Sequence, residues 1–150
     1  MTTIRSARNY DAPALAELCG ELGYPATRQQ VVARLAAIET RAASRVLVAE
    51  DAQGTVVGWI HMAMEAHLLD DGVAEISAFV VAESARNRGV GAELLRAAEC
   101  WAQARGATRL RVRSRVERER AHRFYERVGY VPGKTQHVFA KPLPPRRAEE

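Results

Sequence analysis

The stretch from Ala74 to Arg105, AEISAFVVAESARNRGVGAELLRAAECWAQAR, leaves few folds open to this chain. Ile76 to Val81 is short, apolar and β-prone, the pattern of a strand buried on both faces. Ala82 to Arg88 is a polar connection with two arginines. From Gly89 the period becomes helical, with Val90, Leu94, Ala98 and Trp101 on one stripe. Gly106 is placed to cap the C-terminus. A strand therefore passes through a basic, glycine-containing turn directly into a helix.

That junction, Arg86-Asn87-Arg88-Gly89-Val90-Gly91, carries the chemistry. The first amides of a helix have no helical acceptor, and the helix dipole favours an anion there. Gly89 and Gly91 let a phosphate approach the backbone, and Arg86 and Arg88 add positive charge. The residues by themselves specify a phosphate-bearing ligand at a strand-to-helix turn and name none. A dinucleotide fingerprint is incomplete, because its last glycine position is Leu94 and no acidic residue ends a second strand at the required distance. Gly133-Lys134-Thr135 resembles the end of a Walker loop, but Val128 stands where the first glycine belongs and the segment leads into a β-like run.

Arg86 to Gly91 resembles the acetyl-CoA motif, R/Q-x-x-G-x-G/A, of the GNAT superfamily of N-acetyltransferases. About thirty residues on, Ala121-His122-Arg123-Phe124-Tyr125-Glu126-Arg127-Val128-Gly129-Tyr130 resembles the family's A-x-x-x-Y-x-x-x-G-F/Y segment. Order, spacing and chain length agree, and the resemblance covers essentially the whole chain. Two departures accompany it. Glu83 stands where the family often has proline, and Arg118 stands where many relatives have asparagine.

The resemblance implies acetyl-CoA as co-substrate. The amides of Arg86, Asn87, Arg88, Gly89, Val90, Gly91 and Ala92 would wrap the coenzyme A pyrophosphate. The backbone of Phe79, Val80 and Val81 would pair with the pantetheine arm as an added strand, and an N–H near Val81 would face the thioester carbonyl. Phe79 to Val81 are also core residues in their own right. Tyr125 would be the general acid for the departing thiolate. Its alternative is a buried tyrosine with a satisfied hydroxyl. Glu75 is the first candidate base, directly or through a water, with a simple strand-end carboxylate as the alternative; Glu50 and Glu83 rank below it. His122 reads as a surface or supporting residue.

Thr2 to Ala7 is an edge-strand candidate. Asp11 caps a helix bearing Leu15, Leu18 and Leu22, which Gly23 ends. Thr27 caps a second helix bearing Val31, Leu35 and Ile38. Arg45 to Glu50 and Thr55 to Glu65 form a hairpin around Asp51 to Gly54, with Val57, Trp59, His61 and Ala63 on one side. Gly58 marks a bulge or a close backbone approach. His67 to Gly72 reads as a polar loop. Thr108 to Ser114 is a further strand and Val116 to Val128 a helix stopped by Gly129. Strands follow at Tyr130-Val131 and Gln136 to Ala140. Residues 143–150 read as a frayed tail. The expectation is one domain over 1–150, of mixed α/β class, in the order β-αα-βββ-α-β-α-ββ. The resemblance implies a mostly antiparallel sheet splayed at its central strands.

Composition narrows the partners. The chain has 150 residues, 47% hydrophobic and 27% charged, which suits one globular domain. Its apolar runs are too short to cross a bilayer, and no leader pattern is present, so a cytoplasmic place is expected. Cys19 and Cys100 lack ligand spacing and the four histidines are scattered, so no metal is expected. The net charge of +4 goes to a polyanionic cofactor before nucleic acid, since no aromatic residues interleave with the arginines to stack on bases. The arginine-dense segment from Arg109 to Arg127 reads as salt-bridged surface, as a homodimer face, or as a contact to the cofactor's ribose phosphate. The reading reached is an acetyl-CoA-dependent N-acetyltransferase acting on a primary amine of a small molecule or peptide in a ternary complex. A non-catalytic acyl-CoA-binding module is the alternative. The acceptor amine is not legible.

Overall fold

The structure is a computed structural model that describes residues 1–148. Its contacts gather into two compact units, Met1–Arg113 and Ser114–Glu150. The first holds the whole sheet. Strands β1 (Thr3–Ser6), β2 (Ser44–Glu50), β3 (Val56–Glu65), β4 (Val73–Val81) and β5 (Arg109–Val112) lie in sequence order. The first four are mutually antiparallel, and β5 runs parallel to β4. A parallel neighbour needs a crossover, and α3 (Val90–Ala104) supplies it.

Two helices precede the hairpin. Helix α1 (Ala12–Leu22) ends at Gly23, whose φ of 97° is the left-handed conformation glycine permits. Helix α2 (Arg28–Glu39) opens on a reciprocal capping box between Thr27 and Gln30. Asp11 precedes α1 but does not cap it with its side chain. Its carboxylate accepts two bonds from the Arg5 guanidinium and one from the Arg8 amide, all at 2.8 Å. A carboxylate only 4% exposed needs a charged partner more than a helix needs a cap.

The sheet has two distinct faces. A Cβ on Gly58 would meet Leu94 Cδ1 of α3 and the Val80 carbonyl at 3.0 Å each, so strand and helix touch closely here. Alternation then puts Gly58, Ile60 and Met62 on the α3 face, and Ile60, Met62 and Leu94 are fully buried against one another's layers. Val46 borders a cavity of about 280 Å³ with Leu35 and Ile38 of α2, so its cross-strand partner His61 belongs to the opposite face. The expected close approach at Gly58 is present, and a register shift between Ala49 and Glu50 lies beside it.

The second unit contains α4 (Glu119–Arg127). Gly129, at φ 99°, ends it, and the Tyr130 amide closes on the Tyr125 carbonyl at 2.9 Å. The helix starts three residues later than expected from Val116. The strands expected at Tyr130-Val131 and Gln136 to Ala140 are not formed; 130–148 carries no regular element. Val131, Val138 and Phe139 are exposed there, and Pro132-Gly133 and three later prolines interrupt the run. A lone two-stranded hairpin is marginal in water. The expected tail 143–150 falls partly outside the described residues.

Candidate functional site

The site is built where β4 outruns its neighbour. The β4–β5 ladder covers Val73 to Ile76, opposite Arg109 to Val112, and stops. Strand β4 continues to Val81. At the same point its pairing with β3 shifts, so that His61 pairs with Ala78 and Met62 with Ile76. Ser77 is the extra residue of a bulge, and a bulge bends a strand and increases its twist. The central strands therefore part, as the sequence resemblance implied.

Central burial on both faces holds only for part of β4. Val73, Ala74, Ile76 and Val80 are buried, Ser77 is exposed, and Ala78, Phe79 and Val81 are half-buried. The strand opens where β5 no longer accompanies it. Phe79 and Val81 take the α3 face through their partners Ile60 and Gly58, and Val80 takes the other face with Trp59.

The turn follows at once. Ala82 donates to the Val57 carbonyl at 2.7 Å, and Glu83 to Ala85 make one 3-10 turn with Ala85 buried beneath it. The Glu83 amide donates to the Glu21 carboxylate of α1 at 2.9 Å, a tie the sequence did not suggest. Asn87 and Gly89 are both left-handed, at φ 64° and 82°. Asparagine tolerates that conformation, and glycine adopts it without strain. Gly89 then stands at the N-cap of α3, and the first helical bond runs from the Glu93 amide to its carbonyl. The amides of Val90, Gly91 and Ala92 precede that bond, as the anion reading requires. Arg86, Asn87, Arg88 and Gly89 are exposed, Val90 is buried, and Gly91 and Ala92 are half-buried. The Arg86 amide donates to the Glu83 carbonyl at 3.3 Å, but the described residues give the Arg86 and Arg88 side chains no ion pair or hydrogen bond. Their charge is uncommitted.

Glu75 occupies the opposite end of β4, within the strand rather than at its start. Its carboxylate meets Arg111 Nη2 at 2.9 Å and Arg113 Nε at 3.3 Å. The signal for this clasp was the alternation of arginines at 109, 111 and 113 beside a strand with one acid. Glu50 is held by Arg5 at 2.7 Å, and Glu83 is exposed on its turn. His61, on the same sheet face as Glu75, is half-buried, and burial lowers its proton affinity below the ordinary histidine range.

Tyr125 lies in the second unit. Its ring packs edge-on against Phe124 and Tyr130, with centroids 5.4 and 5.9 Å apart. Burial raises its proton affinity and the nearby Arg118 partly offsets this, so the hydroxyl is protonated at neutral pH. The described residues form no hydrogen bond with that hydroxyl. His122 Nε2 donates to the Arg115 carbonyl, 2.8 Å away. Among the described residues no group of three His, Cys, Asp or Glu could hold a metal, and no helix is long and apolar enough to cross a membrane.

Comparison with known proteins follows the same lines. A family model described as the acetyltransferase (GNAT) family matches residues 10–130. An aminoalkylphosphonate N-acetyltransferase from Salmonella typhimurium is 38% identical over 78 residues, which is 51% of each chain. The chain thus spans about half the length of that curated relative. Among solved structures, the aminoglycoside 6'-N-acetyltransferase AAC(6')-Ih from Acinetobacter baumannii superposes with a TM-score of 0.82 at 16% identity, over 95% of this chain and 99% of that one. AAC(6')-Iy in complex with a coenzyme A bisubstrate analogue gives 0.82 at 17% identity, over 95% and 99%. At such identities these likenesses speak for the fold.

Proposed function

We propose, because the chain belongs to the acetyltransferase (GNAT) family, that it moves an acetyl group from acetyl-CoA to a primary amine. The observation that carries this reading is the left-handed turn from Asn87 to Gly89 opening α3, with Arg86 and Arg88 uncommitted beside it. In the proposal the amides from Arg86 to Ala92 hold the pyrophosphate, and β4 from Phe79 to Val81 receives the pantetheine arm beyond the end of its ladder with β5. An N–H near Val81 stabilises the carbonyl oxygen as it gains charge. The amine attacks the thioester directly and the reaction needs no metal.

For the acid we propose Tyr125, on the strength of the 121–130 motif and its protonated state. Glu75, the base expected first, is engaged by Arg111 and Arg113, so its proposed part is to fix those arginines on the sheet face. The relative that acts on an aminoalkylphosphonate makes small anionic amines the first acceptors to try. One domain over 1–150, cytoplasmic with free Cys19 and Cys100, is the proposed setting. A homodimer is the proposed assembly, since Arg115 to Arg120 are exposed and mix both charges; nucleic acid and membranes are not proposed partners.

Calorimetry with coenzyme A tests the reading, followed by release of free thiol from acetyl-CoA with 2-aminoethylphosphonate, aminoglycosides and peptides. Binding and amine-dependent thiol are expected. Binding without any thiol release favours the non-catalytic module, and no binding removes both.

A further inference from the structure

We propose that His61 is the base that takes the proton from the acceptor's ammonium group. This rests on the acetyl-transfer reading above. His61 sits in the middle of β3 and pairs across the sheet with Val46 on one side and Ala78 on the other. Ala78 is the first residue past the Ser77 bulge and directly precedes the Phe79 to Val81 segment. The imidazole shares its face with Val80, Glu75 and Trp59, away from α3. It therefore projects beside the strand on which the thioester would lie.

The ring is chemically free. The described residues give it no hydrogen bond and no ion pair. It is half-buried, not sealed. Burial is the sole cause of its lowered proton affinity, so it is neutral at pH 7 and can accept a proton. The charged groups around it are spoken for or remote in effect. Arg45, next to Val46 on β2, donates to Ser6 Oγ at 3.0 Å. Glu75 on β4 is held by Arg111 and Arg113 of the β5 edge. Glu21 of α1 accepts the Glu83 amide. Glu39 and Arg41 line the cavity that Val46 borders, and no charged group contributes to the histidine's shift.

An ammonium N–H bond breaks as a ring nitrogen of His61 takes the proton. The freed electron pair forms the new C–N bond at the thioester carbonyl carbon. The nitrogen, now bonded to carbon, gives up its second surplus proton to water; the C–S bond then breaks, its pair leaving on sulfur, and the Tyr125 hydroxyl protonates the thiolate. The imidazolium returns its proton to water, and the phenolate recovers one from it.

The test uses His61→Gln, His61→Ala and the unmodified chain. With 2-aminoethylphosphonate or whichever panel amine turns over, kcat/KM should fall about 10²-fold in His61→Gln while coenzyme A binds with unchanged heat. The acid limb of the kcat/KM profile, which lies below the ordinary histidine value of 6.5, should vanish in that variant. Added imidazole should restore part of the rate to His61→Ala. Separately, NMR titration of the unmodified protein should find the His61 ring titrating below 6.5 and moving when coenzyme A is added. A normal rate or an intact acid limb in His61→Gln overturns the assignment and leaves acetyl transfer standing. So does a ring resonance indifferent to coenzyme A. If the unmodified protein neither binds coenzyme A nor releases thiol, the acetyl-transfer reading falls and takes this one with it.

Discussion

Helix α3 buries Val90, Leu94, Leu95, Ala98, Trp101 and Ala102, whereas α4 buries no residue completely. Both are followed by a left-handed glycine, Gly106 at 88° and Gly129 at 99°. Both carry a family motif. What separates them is what holds each in place. Helix α3 is fixed by an apolar stripe against four strands, β1 to β4, and the turn before it follows from how the strand enters the helix. Helix α4 keeps its motif on a half-buried aromatic cluster of Phe124, Tyr125 and Tyr130. The comparison teaches that a turn can be set by packing, while a single phenol is placed by a few ring contacts.

The largest expected effect lies on the packed side. Leu94→Ala removes a fully buried side chain under Gly58 and should cost about 2–5 kcal/mol in denaturant unfolding. Phe124→Ala, on the half-buried face of α4, should cost about 1 kcal/mol. Equal losses would break the comparison.

Chemistry should give the next largest contrast. Tyr125→Phe is expected to lower kcat about 10²-fold while coenzyme A binds with the same heat. Lost affinity at an unchanged saturated rate would move Tyr125 from acid to scaffold.

Titration should separate the units as well. Asp11 is pushed up by burial, but the Arg5 and Arg8 contacts overcome this and hold it below 3.8, and His61 lies below 6.5. In both cases the unfolded chain binds the proton first as pH falls. Their contributions are present above those ordinary values and are lost through the lowered folded ones. Tyr125 has its value raised above 10, so its contribution is full below pH 10 and is lost as pH rises through the folded value. Hydrogen exchange across the pH range should therefore show acid loosening residues 1–113 first and alkali loosening the α4 unit. The reverse order would contradict the assignment of these groups.

The smallest effect is the sharpest discriminator. Gly89→Ala and Gly129→Ala both force a side chain into a left-handed conformation, at about 1–2 kcal/mol each. Only Gly89→Ala should also weaken coenzyme A in calorimetry.

Much of this was legible in the chain, for physical reasons that differ by region. The α3 stripe and the hairpin alternation are periodic, and periodicity survives translation into burial; Leu95 and Ala102 merely widen the stripe. The turn was legible because Gly89 and Asn87 are residue types that tolerate positive φ. Asp11 misled because its residue type suits a helix cap, and the half-buried Arg5 that claims it lies six residues away across a turn. The clasp on Glu75 depends on strand register, which one-dimensional spacing does not contain. The apolar residues after Gly129 suggested strands, but a strand also needs a neighbour, and no short run specifies one. The loop before β4 was read as polar, yet Leu68 and Leu69 stand fully in solvent there.

One residue of β4 has a consequence out of proportion to its size. Ser77 is surplus to the register: without it, Ile76 and Ala78 would follow in unbroken alternation beside His61 and Met62. The strand would lose its bend where the pairing with β5 now stops, and β5 could zip onward along it. Shortening the chain by that serine would leave every inward-facing side chain on its present side and shut the wedge between the two strands. A spacer of one amino acid thus keeps the sheet ajar, and the room it leaves is room the protein can use.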